Sequence, residues 1–333
     1  MTYLRDLDLS SGNILAIVVP YFLGSAYMER FLSSLDNQNC SQSIIIIFVD
    51  NSVVSDWRGV NDRRYTFQVV YIRTLPKIGF GRACNVGIQI ASQIGAEWVM
   101  VVNQDVTFDS NAILAVTNSS HISDGIITPV IYDYYLEYIE SHYIKHYLSA
   151  SPTCVTQHFE NTRNVSSLYE TTHFSGACFA FQTASWNSFG LFDPVYYMYG
   201  EDNDLVKRLE ERNIKFYIST EFKIGHEHGI EVNSNVRIYN LAVGLLNRLK
   251  SKENIFAKMT FVVLFIAKRL ALILKLASSK KSKQVNAFLQ YDIRTLRGLS
   301  LLRKYKNVED RIMKTSIMDL ENASLIQVFK NAQ

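Results

Sequence analysis

Across 333 residues the chain is 48% apolar, with 34 Lys and Arg against 31 Asp and Glu; this is ample material for a packed core and argues against intrinsic disorder. The net charge of +3 is too small to argue for a general nucleic-acid-binding surface. Cys40, Cys84, Cys154 and Cys178 are too scattered for a metal-type pair or a disulfide framework, and Met1–Asp8 mixes charges where a signal peptide needs an apolar core, so a reducing, cytoplasmic setting is expected.

Ile14 to Val19 reads as a strand, Ser25 to Leu35 as an amphipathic helix and Ile44 to Val49 as a second strand. Gln68 to Ile72 and Trp98 to Val102 continue the series, which implies βαβ units and a mostly parallel sheet. Between the last two, Ala83, Val86, Gly87, Ile90 and Ile94 recur near helical spacing, so a helix is expected over 79–94, packed on the sheet. The strand ending at Val102 leads into Asn103-Gln104-Asp105, and open α/β sheets place ligands at such carboxyl ends.

From Ile131 to Thr172 the chain is rich in Tyr, His, Ser and Asn without sustained periodicity, as expected for a long loop region with short elements. Its tyrosines suit either the stacking of sugar faces or an ordinary packing layer. An apolar segment after Phe174-Ser175-Gly176-Ala177 reaches Phe181, and an aromatic loop follows at Phe192–Tyr199. Glu201 to Arg212 reads as a helix with Leu205 and Leu209 at i and i+4; Glu201, Asp202 and Asp204 in its first turn would complement the helix dipole even without a chemical role. His226-Glu227-His228-Gly229 lies beyond it.

Gly79-Phe80-Gly81-Arg82 lacks the third glycine of a dinucleotide fingerprint and does not follow the opening strand, which argues against a dehydrogenase. A two-carboxylate hydrolase is also conceivable, but the sequence gives no separation between Asp105 and Asp202 from which to judge it.

The order of these blocks resembles the family 2 glycosyltransferases, especially the rhamnosyltransferase-like branch that builds bacterial surface polysaccharides such as O-antigen. The resemblance runs over about residues 14–250 and rests on Val18-Val19-Pro20-Tyr21, Val49-Asp50-Asn51-Ser52, Gly79–Gly87, Asn103–Val106, Phe174–Ala177, Phe192-Asp193 and Tyr199–Leu205. It implies a GT-A fold, Rossmann-like with flanking helices, and inverting transfer from a dTDP- or UDP-linked sugar to a glycan acceptor, lipid-linked or free. The alternative from another class is a non-catalytic sugar-nucleotide-binding or scaffold protein.

The resemblance also implies residue roles. Pro20, Tyr21, Asp50, Asn51, Gly79, Arg82, Asn85, Asn103, Gln104 and Asp105 would face the donor, with Asp50 bonding the pyrimidine base. Gly176, Ala177, Tyr199 and Glu201 would face the acceptor, and Asp202 would be the general base with Glu201 beside it. Asp105 and His226 would hold Mg²⁺ or Mn²⁺, with His228 as local competitor to His226. Asn103 departs from the family's DxD-type pattern, since an amide supplies no negative charge.

The expected boundaries are a catalytic domain over 1–252, with a nucleotide-sugar half to about 130 and an acceptor half over 131–252, then a helical extension over 253–333. Within 255–283 an apolar segment is interrupted by Lys268-Arg269 and ends in Ser278-Ser279-Lys280-Lys281-Ser282-Lys283, which fits a membrane span poorly. An interfacial helix, peripheral on the inner face of the plasma membrane, and a core-packed helix with a solvated basic end both fit.

Overall fold

A computed structural model describes residues 4, 7–10, 12–59, 65–122, 124–148, 167–185, 191–227, 236–251, 254–278 and 282–329. His228, Gly229, residues 149–166 of the tyrosine-rich loop and Lys280-Lys281 lie outside the described residues.

Strand β1 (Ile14–Tyr21) is buried at every position, as its continuous aliphatic run requires, and is followed by α1 (Met28–Asp36) and β2 (Ser43–Asp50). Next come β3 (Gln68–Arg73), α2 (Phe80–Gln93) and β4 (Trp98–Val102). Strands β3, β2, β1 and β4 lie side by side and parallel. Helix α1 packs with Leu15, Ile17 and Val19 on one face of the sheet, and α2 with Ala16 and Val18 on the other. Gly87 of α2 lies so close to Val18 and Val49 that a Cβ would collide with them, so the glycine sets the distance between helix and sheet.

The second half departs from the parallel pattern. After β5 (Val106–Phe108), α3 (Ala112–Thr117), β6 (Gly125–Asp133), the short α4 (Ser141–Tyr143) with its π-turn to Leu148, β7 (Leu168–Thr171) and β8 (Cys178–Gln182) come α5 (Glu201–Glu210) and β9 (Lys215–His226). β8 inserts antiparallel beside β4 and also pairs antiparallel with β6. β9 runs parallel to β6 and antiparallel to β5 and β7. One mixed sheet therefore runs through both expected halves of the catalytic domain.

Helices α6 (Val236–Lys250), α7 (Ile255–Ser278), α8 (Ser282–Lys304) and α9 (Val308–Glu321) follow, and β10 (Ser324–Phe329) is the last element among the described residues. The extension is no appendage: β10 pairs antiparallel with β3, and Ile312 and Leu320 of α9 join the core under α2. Asp193, fully buried, accepts hydrogen bonds from Arg311 at 2.7 and 3.1 Å and pairs with Lys250 at 2.7 Å, binding α9 and α6 to the loop before α5. Burial works to raise the Asp193 pKa, but Arg311 and Lys250 outweigh it and hold the carboxyl below its ordinary range. Among the described residues no helix is long and apolar enough to cross a membrane.

Candidate active site

The parallel strands change direction of succession between β1 and β4, since β2 and β3 lie to one side of β1 and β4 to the other. The crevice at the carboxyl ends there is the expected ligand position. Pro20 and Tyr21 end β1 and stand in register with Val49 and Asp50. Asp50 is fully buried and accepts from the Tyr71 hydroxyl at 2.5 Å and the Ser52 N–H at 2.8 Å. Asn51 donates through its side chain to the Tyr21 carbonyl at 3.1 Å. Trp57 stacks on Tyr71 with centroids 4.4 Å apart and meets Tyr21 edge-on at 5.4 Å, so Asp50 sits beside an aromatic box. The Tyr21 hydroxyl donates to Asp56 at 2.5 Å, and burial first, then Asp56, pushes its pKa far above the ordinary tyrosine range. Trp57, Tyr71 and Asp56 went unnominated in the sequence, because Tyr71 meets Asp50 only through the pairing of β3 with β2, and Asp56 and Trp57 reach Tyr21 only through the connection between those strands.

Asn103 leaves β4 with its N–H bonded to the Ala177 carbonyl at 2.8 Å. Its amide nitrogen is 3.4 Å from His226 Nε2, and the same Nε2 is 3.5 Å from Asp105 Oδ1. Antiparallel pairing produces this meeting: His226 stands opposite Val106, and the Glu227 N–H bonds the Asp105 carbonyl at 3.0 Å. Tyr27 and Tyr134 are both held above the ordinary tyrosine range, by burial first, with the charges of Glu227 and Asp105 adding to it. Gln104 uses both ends of its amide on the backbone of Phe22, at 2.9 and 3.0 Å, and so clamps the β1–α1 loop.

Two other nominated donor residues have different occupations. Both ends of the buried Asn85 amide bond the backbone of Phe192, at 2.8 and 3.0 Å. Arg82 forms a two-pronged pair with the buried Asp319 of α9, one contact at 2.8 Å. Gly79, at φ 100°, packs against the Tyr197 carbonyl, where a Cβ would collide, and Phe80 N–H bonds that carbonyl at 3.2 Å.

Tyr199 and Gly200 both take left-handed backbone conformations, φ 66° and 86°, immediately before α5. The non-glycine Tyr199 therefore carries strain at the entrance to the helix that presents Glu201 and Asp202. Gly176 passes close to Asp202: a Cβ there would lie 3.2 Å from the Asp202 Cβ and 3.4 Å from its Oδ2. Asp202 is part-exposed and its Oδ1 accepts from the Asn203 N–H at 2.7 Å. His173 reaches Asn203 at 3.1 Å, and Tyr147, one of the tyrosines of the long loop, packs on His173 with centroids 5.9 Å apart. Glu201 turns inward and is buried, with Oε2 lacking a hydrogen-bond partner among the described residues. Burial, then the charge of Asp202, pushes its pKa up to about 8.

The residues present fit a divalent cation of modest affinity. A carboxylate and an imidazole nitrogen 3.5 Å apart can share one ion, and Asn103 Oδ1 is a buried acceptor without a hydrogen-bond partner among the described residues. No group of three or more His, Cys, Asp or Glu converges as a metal cage among the described residues, so donor phosphates and water would complete the shell.

A mixed α/β sheet flanked by helices, with an acidic crevice at the β1–β4 switch and a carboxylate pair at a helix start across it, defines a GT-A glycosyltransferase fold. Residues 12–234 match the family described as "Glycosyltransferase like family 2", and the chain belongs to that family. No curated protein sequence matches it. Similar solved structures include GalNAc-T7 with UDP, GalNAc and Mn²⁺, at 13% identity and TM-score 0.48, covering 69% of this chain and 47% of that one. S. aureus TarS is similar at 15% identity and TM-score 0.45, covering 92% of this chain and 54% of that one. TarS 1–349 in complex with UDP is similar at 16% identity and TM-score 0.44, covering 92% and 88%. The chain thus spans about half the length of the first two of these proteins.

Proposed function

We propose that this chain is an inverting glycosyltransferase that moves one sugar from a nucleoside-diphosphate donor to a hydroxyl of a glycan acceptor. The observation that carries the reading is the backbone link between the two carboxylate sites. Asn103, two residues from Asp105, bonds Ala177, and the adjacent Gly176 lies against Asp202. A donor diphosphate at Asp105 and an acceptor hydroxyl at Asp202 would thus be held by one rigid pair of strands, β4 and β8.

In this mechanism the Asp202 carboxylate takes the acceptor O–H proton as that oxygen attacks the anomeric carbon, while the bond from that carbon to the diphosphate oxygen breaks. Attack from the face opposite the leaving group inverts the centre, and the products are a glycoside, a nucleoside diphosphate and protonated Asp202. A divalent cation, Mg²⁺ or Mn²⁺, held by Asp105 and His226 would supply positive charge against the leaving diphosphate. Asp50 and the Trp57–Tyr71 stack would receive the pyrimidine base, while Tyr147, His173 and Tyr199 border the acceptor side. Glu201, buried beside Asp202 with its pKa pushed up by burial and then by Asp202, would border the base.

Rhamnose on dTDP is the donor we propose first, with a bacterial surface polysaccharide as acceptor, following the order of sequence motifs. A screen of dTDP- and UDP-sugars against glycan acceptors, with product mass and anomeric configuration read out, tests the proposal. Retained configuration would overturn the mechanism. Asn103, an amide at a metal-facing position, favours a second reading as a non-catalytic nucleotide-sugar-binding protein; donor binding without transfer to any acceptor would select it.

A further inference from the structure

Helix α7 is apolar on its outer side as well as its inner one. Its inner side faces α6 and α8, where Arg248 stacks over Phe261 at 5.2 Å and Arg269 pairs with Asp292 at 2.8 Å. Its outer side carries Phe256, Met259, Val263, Ile266, Leu270 and Leu274, which recur at intervals of three and four and are all exposed, Phe256 to 79% and Leu274 to 70%. The stripe is about 27 Å long at the rise of an α-helix. A contiguous apolar face of this length on the outside of a folded chain calls for an occupant.

Charge selects among the occupants. Residues 254–291 contain seven Lys and Arg and no Asp or Glu, and Lys268 is exposed. A second copy of the chain would bring two such cationic segments together across the apolar contact. An anionic lipid surface answers both features, since acyl chains accept the apolar face and headgroups accept the lysines. We infer that α7 lies in the plane of an anionic membrane, its apolar stripe immersed among the acyl chains and the net positive charge of residues 254–291 drawn to the anionic headgroups. This goes beyond the proposed transfer reaction and does not depend on it.

The test is co-sedimentation of the full chain with vesicles of equal parts phosphatidylglycerol and phosphatidylcholine, and with phosphatidylcholine vesicles alone. Binding to the anionic vesicles is expected to exceed binding to neutral ones by about tenfold or more, and to weaken with salt. Val263→Glu with Leu270→Glu is expected to abolish it. Both side chains are on the outer face, so far-ultraviolet circular dichroism and thermal unfolding should be unchanged. Lys268→Gln, which leaves the apolar stripe intact, is expected to lower vesicle affinity by about fivefold. Absence of vesicle binding, equal binding to both compositions, or a dimer in sedimentation velocity that Val263→Glu dissociates while vesicles stay bare would each overturn the inference. Transfer to a soluble acceptor that persists in those cases would leave the proposed function standing.

Discussion

His226 Nε2 lies 3.5 Å from Asp105 Oδ1, a meeting produced by the antiparallel pairing of β9 with β5. Neither residue approaches the other along the chain, and register alone brings them together at the mouth of the crevice. If the pair holds a cation, His226→Ala should raise the Mn²⁺ concentration needed for half-maximal turnover, with saturated turnover falling less than in Asp105→Ala. Manganese titrations of both variants, read by turnover and by isothermal calorimetry, check this; an unchanged titration for His226→Ala would assign the histidine to structure.

Asp202→Asn should lower turnover by about two to four orders of magnitude while donor affinity stays near wild type, because the amide keeps the shape and loses the base. Gly176→Ala probes the same position from the other side, since its methyl group would press on Asp202 at 3.2 Å. Its turnover should fall with little change in melting temperature. Donor-binding calorimetry alongside kinetics separates the two effects. Near wild-type turnover in Asp202→Asn with an inactive Glu201→Gln would move the base to Glu201.

Glu201 gives the protein a pH signature. Its carboxyl is pushed from 4.5 to about 8 on folding, by burial and then by Asp202. Below the lower value the side chain is protonated in both states; between the two, the unfolded chain ionises while the native one holds its proton. Native protein therefore binds more protons, and stability should fall as pH rises from about 4.5 to about 8. Glu201→Gln should flatten that slope in urea melts and leave the protein more stable than wild type at the upper end of the window.

Arg311→Met should destabilise the chain by about 3–5 kcal/mol, the usual cost of leaving a buried carboxylate without its partner. Asp193 is fully buried and Lys250 remains its other cation, so the lower figure is expected. A double variant, Arg311→Met with Asp193→Leu, should recover much of the loss. Urea unfolding of the single and double variants measures the coupling.

The first four strands and α2 were legible because their signals are local. Aliphatic runs such as Ile44–Val49 have few alternatives to a buried strand, and the spacing of Ala83, Val86 and Ile90 marks the inner face of a helix. Asp105 could be nominated because it follows such a strand, whereas Asp50 and Asp202 were nominated through the family resemblance of the motifs around them. β9 was assigned no element from the sequence, and β10 lies in the stretch expected to be helical; both take their places from partners far away in the chain.

By itself the sequence determined the βαβ beginning, and it put the candidate carboxylates in their order along the chain. Tertiary structure decided which polar groups face the crevice and which serve the frame. Asn85 and Arg82 resemble Asn103 and Asp105 as candidates, yet their partners, Phe192 and Asp319, are 107 and 237 residues away, and local patterns carry no information about such pairings. The same holds for α7. Hydropathy marks its residues as apolar, but only the packing of α6 and α8 on one side decides that Val263 and Leu270 face outward, because exposure depends on what neighbouring elements cover.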